Sequence, residues 1–284
     1  MMFLRFSFLV VFFNFFCEVI GMNASYEMEM KIISQQLDEN IIGKLSYLPK
    51  LMKMDVSDRD EVLQVNTEIS SDMFNVVCMK VVCSDLQPIH SMFLANSLPF
   101  ALWIGFGDSS IKCKETIQEL GIECCEVETG MFINIEKMTE THECDTLKIL
   151  QVVDSRTLRD FITAYRELIP MDGDAIDLFY STSKPFILDV DSKLKLFVGY
   201  IADRPVSTAA LFLSSDVAGV WDVTVLPDFR RMRIATDMVS HVLSEASSKH
   251  GCDIGVLTAS ELGKKVYSKM GFQSVKDFYI FNVK

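Results

Sequence analysis

Metal-ligating patterns are missing from this sequence of 284 residues. Its four histidines, His90, His142, His241 and His250, show no ligand spacing, and there is no C-x-x-C pair; the common structural zinc frameworks are therefore excluded and no metal site is expected. The eight cysteines, Cys17, Cys78, Cys83, Cys113, Cys124, Cys125, Cys144 and Cys252, are spread without repeated spacing. Several sit in apolar runs such as Val76-Val77-Cys78, so they read as small core hydrophobes rather than a disulfide framework. Positive charge is also scarce. The 27 Lys and Arg against 39 Asp and Glu leave a net charge of -12, which makes nucleic acid a poor partner and favours cationic or amine-bearing ones. A membrane-spanning run is lacking as well: Phe6–Phe16, behind Arg5, is too short for a helix that needs about 20 apolar residues. That run resembles the h-region of a secretory signal, although Glu18 follows closely and no small-x-small cleavage triplet is seen. Residues 1–21 thus read as a signal, as a membrane-surface anchor, or as an extension ahead of a start at Met22, with membrane contact expected only if the leader is retained.

What is present is a folded, core-rich chain. Hydrophobic residues make up 49% and charged ones 23%, which argues against disorder, and the length suits two domains of roughly 100 to 200 residues each. Ile32, Ile33, Leu37, Ile41 and Leu45 recur at helical spacing over 22–51. Strand is expected over Met73–Cys83, helix over Ser84–Asn96, strand over Phe100–Phe106, helix over Ser110–Leu120 with a stop at Gly121, and strand over Met131–Ile135. The polar stretch Glu136–Asp145 is the expected linker, dividing 22–140 from 146–284. Beyond it come strand Leu147–Val153, a helix to about Leu168 capped by Asp154 or Ser155, and a short helix Asp174–Ser181. Strands Leu194–Ile201 and Val206–Leu213 form a hairpin, and Ala218–Val225 follows, stopped by Pro227. A long amphipathic helix from about Arg233 to Lys249, strand Asp253–Leu257, helix Ser260–Met270 and strand Phe272–Val283 complete a mixed α/β pattern. An internal echo links the halves: Gln118-Glu119-Leu120-Gly121-Ile122 and Ser268-Lys269-Met270-Gly271-Phe272 are both helix, glycine stop and apolar residue ahead of a strand. Trp103 and Trp221 read as core residues, and the vicinal Cys124-Cys125 as packing.

The most informative segment runs from Val223 to Thr236. A strand ends, a proline prevents its extension, a turn carrying Arg230, Arg231 and Arg233 follows, and a helix begins. Free backbone N–H groups and the positive helix terminus then meet at the mouth of the sheet, a ready site for an anionic pyrophosphate. This run resembles the acetyl-CoA signature of the GCN5-related N-acetyltransferase (GNAT) superfamily, V-x-P-x-x-R-x-x-G-x-G/A: Val225, Pro227, Arg230 and Ala235 match, and Arg233 stands where the family has its central glycine. A second stretch, Leu257-Thr258-Ala259-Ser260 followed by Val266-Tyr267-Ser268-Lys269-Met270-Gly271-Phe272, resembles the family's closing segment ending in Y-x-x-x-G-F, with Ser260 where relatives commonly have asparagine.

The resemblance implies a GNAT fold, a central mixed sheet flanked by helices, with 146–284 as the catalytic N-acetyltransferase domain. It implies acetyl-CoA as co-substrate, held by the strand at Val223, Thr224 and Val225, by the turn and helix start from Arg230 through Arg231, Met232, Arg233, Ile234 and Ala235 to Thr236, and by Ser260. It implies Tyr267 as the acid that protonates the departing thiolate, and an amine acceptor, protein, peptide or small molecule. Asp222 is the nearest carboxylate along the strand and the candidate general base, with water as the alternative. Fainter likenesses at Phe74-Asn75, Pro99-Phe100-Ala101-Leu102-Trp103 and Gly130-Met131 imply a tandem protein whose first lobe, without an arginine-rich turn, is a degenerate copy. The rival is a catalytically silent CoA-binding or protein-interaction module. Because the chemistry needs a pool of acyl-CoA, the expected location is cytoplasmic.

Overall fold

The computed structural model describes residues 4–81, 98–107, Lys114, Ile117, 123–139 and 144–283, with backbone alone for 4–24. The chain opens with α1 (Leu4–Leu51), followed by β1 (Asp55–Asp58), β2 (Val62–Asn66), β3 (Val76–Met79), β4 (Phe100–Ile104), β5 (Glu126–Asn134) and β6 (Lys148–Gln151). Then come α2 (Ser155–Leu168), α3 (Gly173–Ile187), β7 (Leu194–Ile201), β8 (Arg204–Ser214), β9 (Val217–Val225), α4 (Ile234–His250), β10 (Ile254–Ala259), α5 (Glu261–Met270) and β11 (Gln273–Val283). The expected helix over 84–96 and the Gly121 stop lie outside the described residues; of 110–120 only Lys114 and Ile117 are described, both helical. Among the described residues no helix is long and apolar enough to cross a membrane.

Local signals explain most boundaries. Asp154 caps α2 through a capping box with Thr157, and Ser260 caps α5 by accepting from Gly263 N. The turn between β7 and β8 is two residues, Ala202 and Asp203, both left-handed at φ 47° and 63°, as the twist of a tight hairpin demands. Gly251 and Gly271 end α4 and α5 at φ 68° and 103°. The helix α3 runs on through Pro185 to Ile187, past its expected end, because Tyr180, Ser183 and Ile187 bury its inner face.

All the described strands lie in one sheet of order β1-β2-β3-β4-β11-β5-β10-β9-β8-β7-β6. The order is nearly palindromic about β11 and β5. On one side β3 runs parallel to β4 and β4 antiparallel to β11; on the other β9 runs parallel to β10 and β10 antiparallel to β5. The two strands that follow the echoed glycine joints have changed places: β5, from the first half of the chain, adjoins β10 of the second, and β11 adjoins β4 of the first. They pair antiparallel with each other from Gln273↔Phe132 to Ile280↔Glu126. A cut near 140 would leave β5 with the first half and its partner β10 with the second.

The helix α1 binds the halves a second time. Asn40, fully buried, donates from Nδ2 to Phe212 O (3.2 Å) and Ser214 Oγ (2.7 Å), and its Oδ1 accepts from Trp221 Nε1 at 3.0 Å. Room for that amide comes from Gly219, where a Cβ would lie 1.8 Å from Asn40 Oδ1. Nearby, Lys276 bridges from β11 to Asp38 of α1 at 2.6 Å. In the first half, Asn75 clasps the turn before β3, accepting from Thr67 N and donating to Ile69 O and Pro99 O.

Candidate active site

A wedge opens where β9 leaves β10. The two strands pair only over Val217–Gly219 with Ile254–Val256, while β5 holds β10 along its other edge as far as Ala259. A bulge lies in the unpaired stretch: Thr208 pairs with Thr224 and Ala210 with Trp221, so Asp222 and Val223 together face Ala209. The bulge puts Asp222 in the left-handed region at φ 52°, which aspartate tolerates better than most residues. Buried Thr208 fixes it, donating from Oγ1 to Asp222 O at 2.8 Å. Bulging bends β9 away from β10 and leaves that edge of Val223–Val225 without a strand partner.

Beyond β9, Pro227–Phe229 forms a single turn of 3-10 helix, and Arg230 Nε donates to Val225 O at 3.3 Å. Arg231 and Arg233 are both left-handed, each at φ 66°. Backbone N–H groups of Arg231, Met232 and Arg233 donate to no acceptor among the described residues, and those of Ile234, Ala235 and Thr236 occupy the first turn of α4, where no intrahelical partner exists. The side chains of Arg230, Arg231 and Arg233 are exposed and form no ion pair among the described residues. Uncompensated guanidinium groups around unsatisfied N–H donors at a helix N-terminus make a site for a phosphate-bearing anion.

Arg233 already holds the conformation that glycine takes without cost, so its side chain, not its backbone, is the variable. Arg233→Gly should raise folding stability by about 1 kcal/mol through relief of left-handed strain. Losing one cation should also weaken acetyl-CoA binding by about ten-fold. Thermal unfolding and calorimetric titration check both; tighter binding would mean that the side chain obstructs the cradle.

At the wedge lies a cavity of about 470 Å³. Asp222 and Val223 line it from β9, Thr258 and Ala259 from β10, and Ser260 and Tyr267 from α5 and its cap. Tyr267 is 8% exposed, and its hydroxyl makes no hydrogen bond among the described residues. Burial pushes its phenol up to about 12, with negative charge on Glu128 adding to the effect, so it stays protonated at neutral pH. Two further groups come from the first half of the chain. Glu128 of β5 accepts a short hydrogen bond from Thr258 Oγ1; burial raises its carboxyl above the usual carboxylate range, and that hydrogen bond opposes the shift. Lys44 of α1 pairs with Asp222 Oδ1 at 3.0 Å, and Tyr165 donates to the same oxygen at 3.4 Å.

A family model described as an acetyltransferase (GNAT) domain matches residues 192–274, the stretch that supplies the wedge, the arginine turn and Tyr267. Over that stretch the chain is similar to GNAT domains. No curated protein matches it in sequence, but solved structures share the fold. A GCN5-related N-acetyltransferase from Kribbella flavida superposes with a TM-score of 0.62 at 12% identity, covering 89% of this chain and 94% of that one. A conserved protein of unknown function from Staphylococcus epidermidis gives 0.62 at 14% identity over 81% and 94%. A tandem GNAT protein from the clavulanic acid biosynthesis pathway gives 0.52 at 6% identity over 73% and 74%. The nearly palindromic strand order is in keeping with that likeness.

GNAT proteins use acetyl-CoA, and the donor set here suits it: N–H groups and arginines for the diphosphate, an unpaired strand edge for the amide-rich arm. Of the residues picked out by sequence, Asp222, Val223, Ser260 and Tyr267 share one cavity, Thr224 and Val225 continue the strand edge, and Arg230–Thr236 form the cradle at its end. Ser260 has its side chain in use as the α5 cap. Sequence reasoning missed Glu128 and Lys44. The alternation Glu126-Val127-Glu128 ahead of the expected strand start at Met131 was the available signal for the first. For Lys44 it was the position one turn after Asn40 on α1.

Proposed function

We propose that this chain is an N-acetyltransferase that moves an acetyl group from acetyl-CoA directly to an amine. One observation carries the reading: the hydroxyl of Tyr267 and the carboxyl of Glu128 line one cavity beside an unpaired strand edge, which leads to the arginine turn at the start of α4. Acetyl-CoA supplies the acetyl group as an activated thioester, and the protein supplies placement and proton transfer. Glu128 takes one proton from the incoming ammonium, leaving the nitrogen lone pair free. Nitrogen bonds to the acetyl carbon as the carbon–sulfur bond breaks, and Tyr267 donates its proton to sulfur. The second proton shed by nitrogen restores the phenol, and Glu128 releases its own to solvent, so amide, thiol and one proton leave. We assign the base to Glu128 because Asp222 is held by Lys44 at 3.0 Å; Asp222 instead shapes β9 through its bulge.

Release of CoA thiol with an amine acceptor, followed with a thiol reagent, tests the activity. Tyr267→Phe should lower kcat by roughly 10- to 1000-fold with acetyl-CoA affinity little changed, since the ring packs as before against Phe272 and only the proton is lost. An unaltered kcat would remove Tyr267 from the reaction.

A further inference from the structure

We infer that the acceptor is a small monoamine with an aromatic or similarly compact apolar body, held in a chamber that both halves of the chain build beside the transfer site. This rests on the transferase reading above. A second cavity of about 300 Å³ adjoins the first. The two share Lys44, Leu45, Trp103, Glu126, Glu128 and Asp222 in their walls, so the chamber meets the transfer site at its charged end. Its far end is aromatic. Phe74 stacks on Phe179 with centroids 4.1 Å apart and planes at 11°, and Tyr180 stands edge-on to both at 6.4 and 5.5 Å. Leu48 and Pro49 of α1 and Met73 ahead of β3 add to the apolar wall.

The polarity of the chamber is graded, and the gradient names the ligand. At the charged end Asp222, Glu126 and Glu128 line the wall, and Lys44, the one lysine or arginine there among the described residues, is already paired to Asp222, so carboxyls outnumber cations where an incoming ammonium would sit. An aromatic or branched body then lies against the rings, which gain contact area and quadrupole attraction to the adjacent cation. An aminosugar would lay hydroxyls against Phe74, Phe179, Leu48 and Met73, which offer no hydrogen-bond partner, and that is costly. A polyamine needs a free carboxylate at the far end, and Asp72, the acidic residue beside Phe74, already interacts with another group. A peptide needs an open groove, whereas α1 covers this chamber on one side and α3 on another. The volume also falls at the small end of ligand cavities.

The test uses the full chain, acetyl-CoA and four acceptors: 2-phenylethylamine, spermidine, glucosamine and a lysine-containing peptide, with thiol release and product mass as readouts. 2-Phenylethylamine should give a kcat/KM at least about 30-fold above the other three. 2-Phenylethanol, the same body without the amine, should inhibit wild-type protein competitively against 2-phenylethylamine and not against acetyl-CoA. Phe74→Ala should raise the KM for 2-phenylethylamine by about ten-fold or more with the KM for acetyl-CoA unchanged. Preference for spermidine, glucosamine or peptide, or no inhibition by the alcohol, overturns the chamber assignment while leaving the transferase reading standing. Thiol release that no acceptor raises above the amine-free background would end both.

Discussion

Glu128→Gln should lower kcat by roughly 100- to 10,000-fold, the range for loss of a positioned general base, while leaving acetyl-CoA affinity near that of wild type. The wild-type profile of kcat/KM should rise with pH through a value above the ordinary carboxylate range, because burial holds the proton on Glu128 and only the ionised form accepts another. In the glutamine variant that limb should vanish. Misfolding would not reproduce this pattern. Since the folded pKa of Glu128 is raised, the group favours the native state at low pH, and that contribution is lost as pH rises through the folded value. Above the folded value the ionised carboxylate is a burden on the fold, so there glutamine should leave the melting temperature equal or higher, with its amide oxygen still able to accept from Thr258. Were Asp222→Asn to abolish the limb and Glu128→Gln to preserve it, the base would belong to β9.

The second large effect is structural. A chain beginning at residue 144 should fail to give a folded monomer, although it contains the whole segment 192–274 that matches the GNAT domain model. Its β10 loses β5, and its β11 loses both neighbours, because β11 pairs with β4 and β5 alone. Met131, Ile133 and Ile135 also leave the core beneath α4, where they pack with Met238, Val242 and Leu243. At about 1.5 to 3 kcal/mol for each large buried side chain, those three approach the whole stability of a typical domain, about 5 to 15 kcal/mol. Size-exclusion chromatography should show aggregate, and circular dichroism no cooperative melt. Co-expression with residues 22–143 should restore both. A monomeric, cooperatively melting 144–284 would mean that the exchanged strands are dispensable.

The unequal legibility of the two halves has a physical cause. Where a boundary is set by local chemistry, the residues announce it: Asp154 as a cap, Gly271 as a helix stop, Pro227 after a strand, a short connection after Ile201 as a hairpin. The arginine cradle is equally local, since strand end, turn and helix start are contiguous. What escaped notice depends on distant pairing. The hairpin of β1 and β2 lies in a stretch containing Asp58-Arg59-Asp60-Glu61, whose charge hides a short edge strand. Glu126 and Glu128 read as the polar run before a strand because nothing near them discloses that β10 and β11 flank that segment. The bulge at Asp222 arises from the two-against-one register with β8, and Lys44 acquires its partner only when α1 crosses the second half.

The exchange of β5 and β11 bears on how the molecule is made. During synthesis β11 leaves the ribosome after every other described strand, yet its place is near the middle of the sheet, between β4 and β5. Until it arrives, the strand carrying Glu128 has an open edge, and the cavity of about 300 Å³ lacks the part of its wall that Ile280 and Asn282 supply. Long-range closure of this kind is slow and leaves strand edges exposed while it is pending. A complete cavity wall should therefore appear in one step, with the insertion of β11.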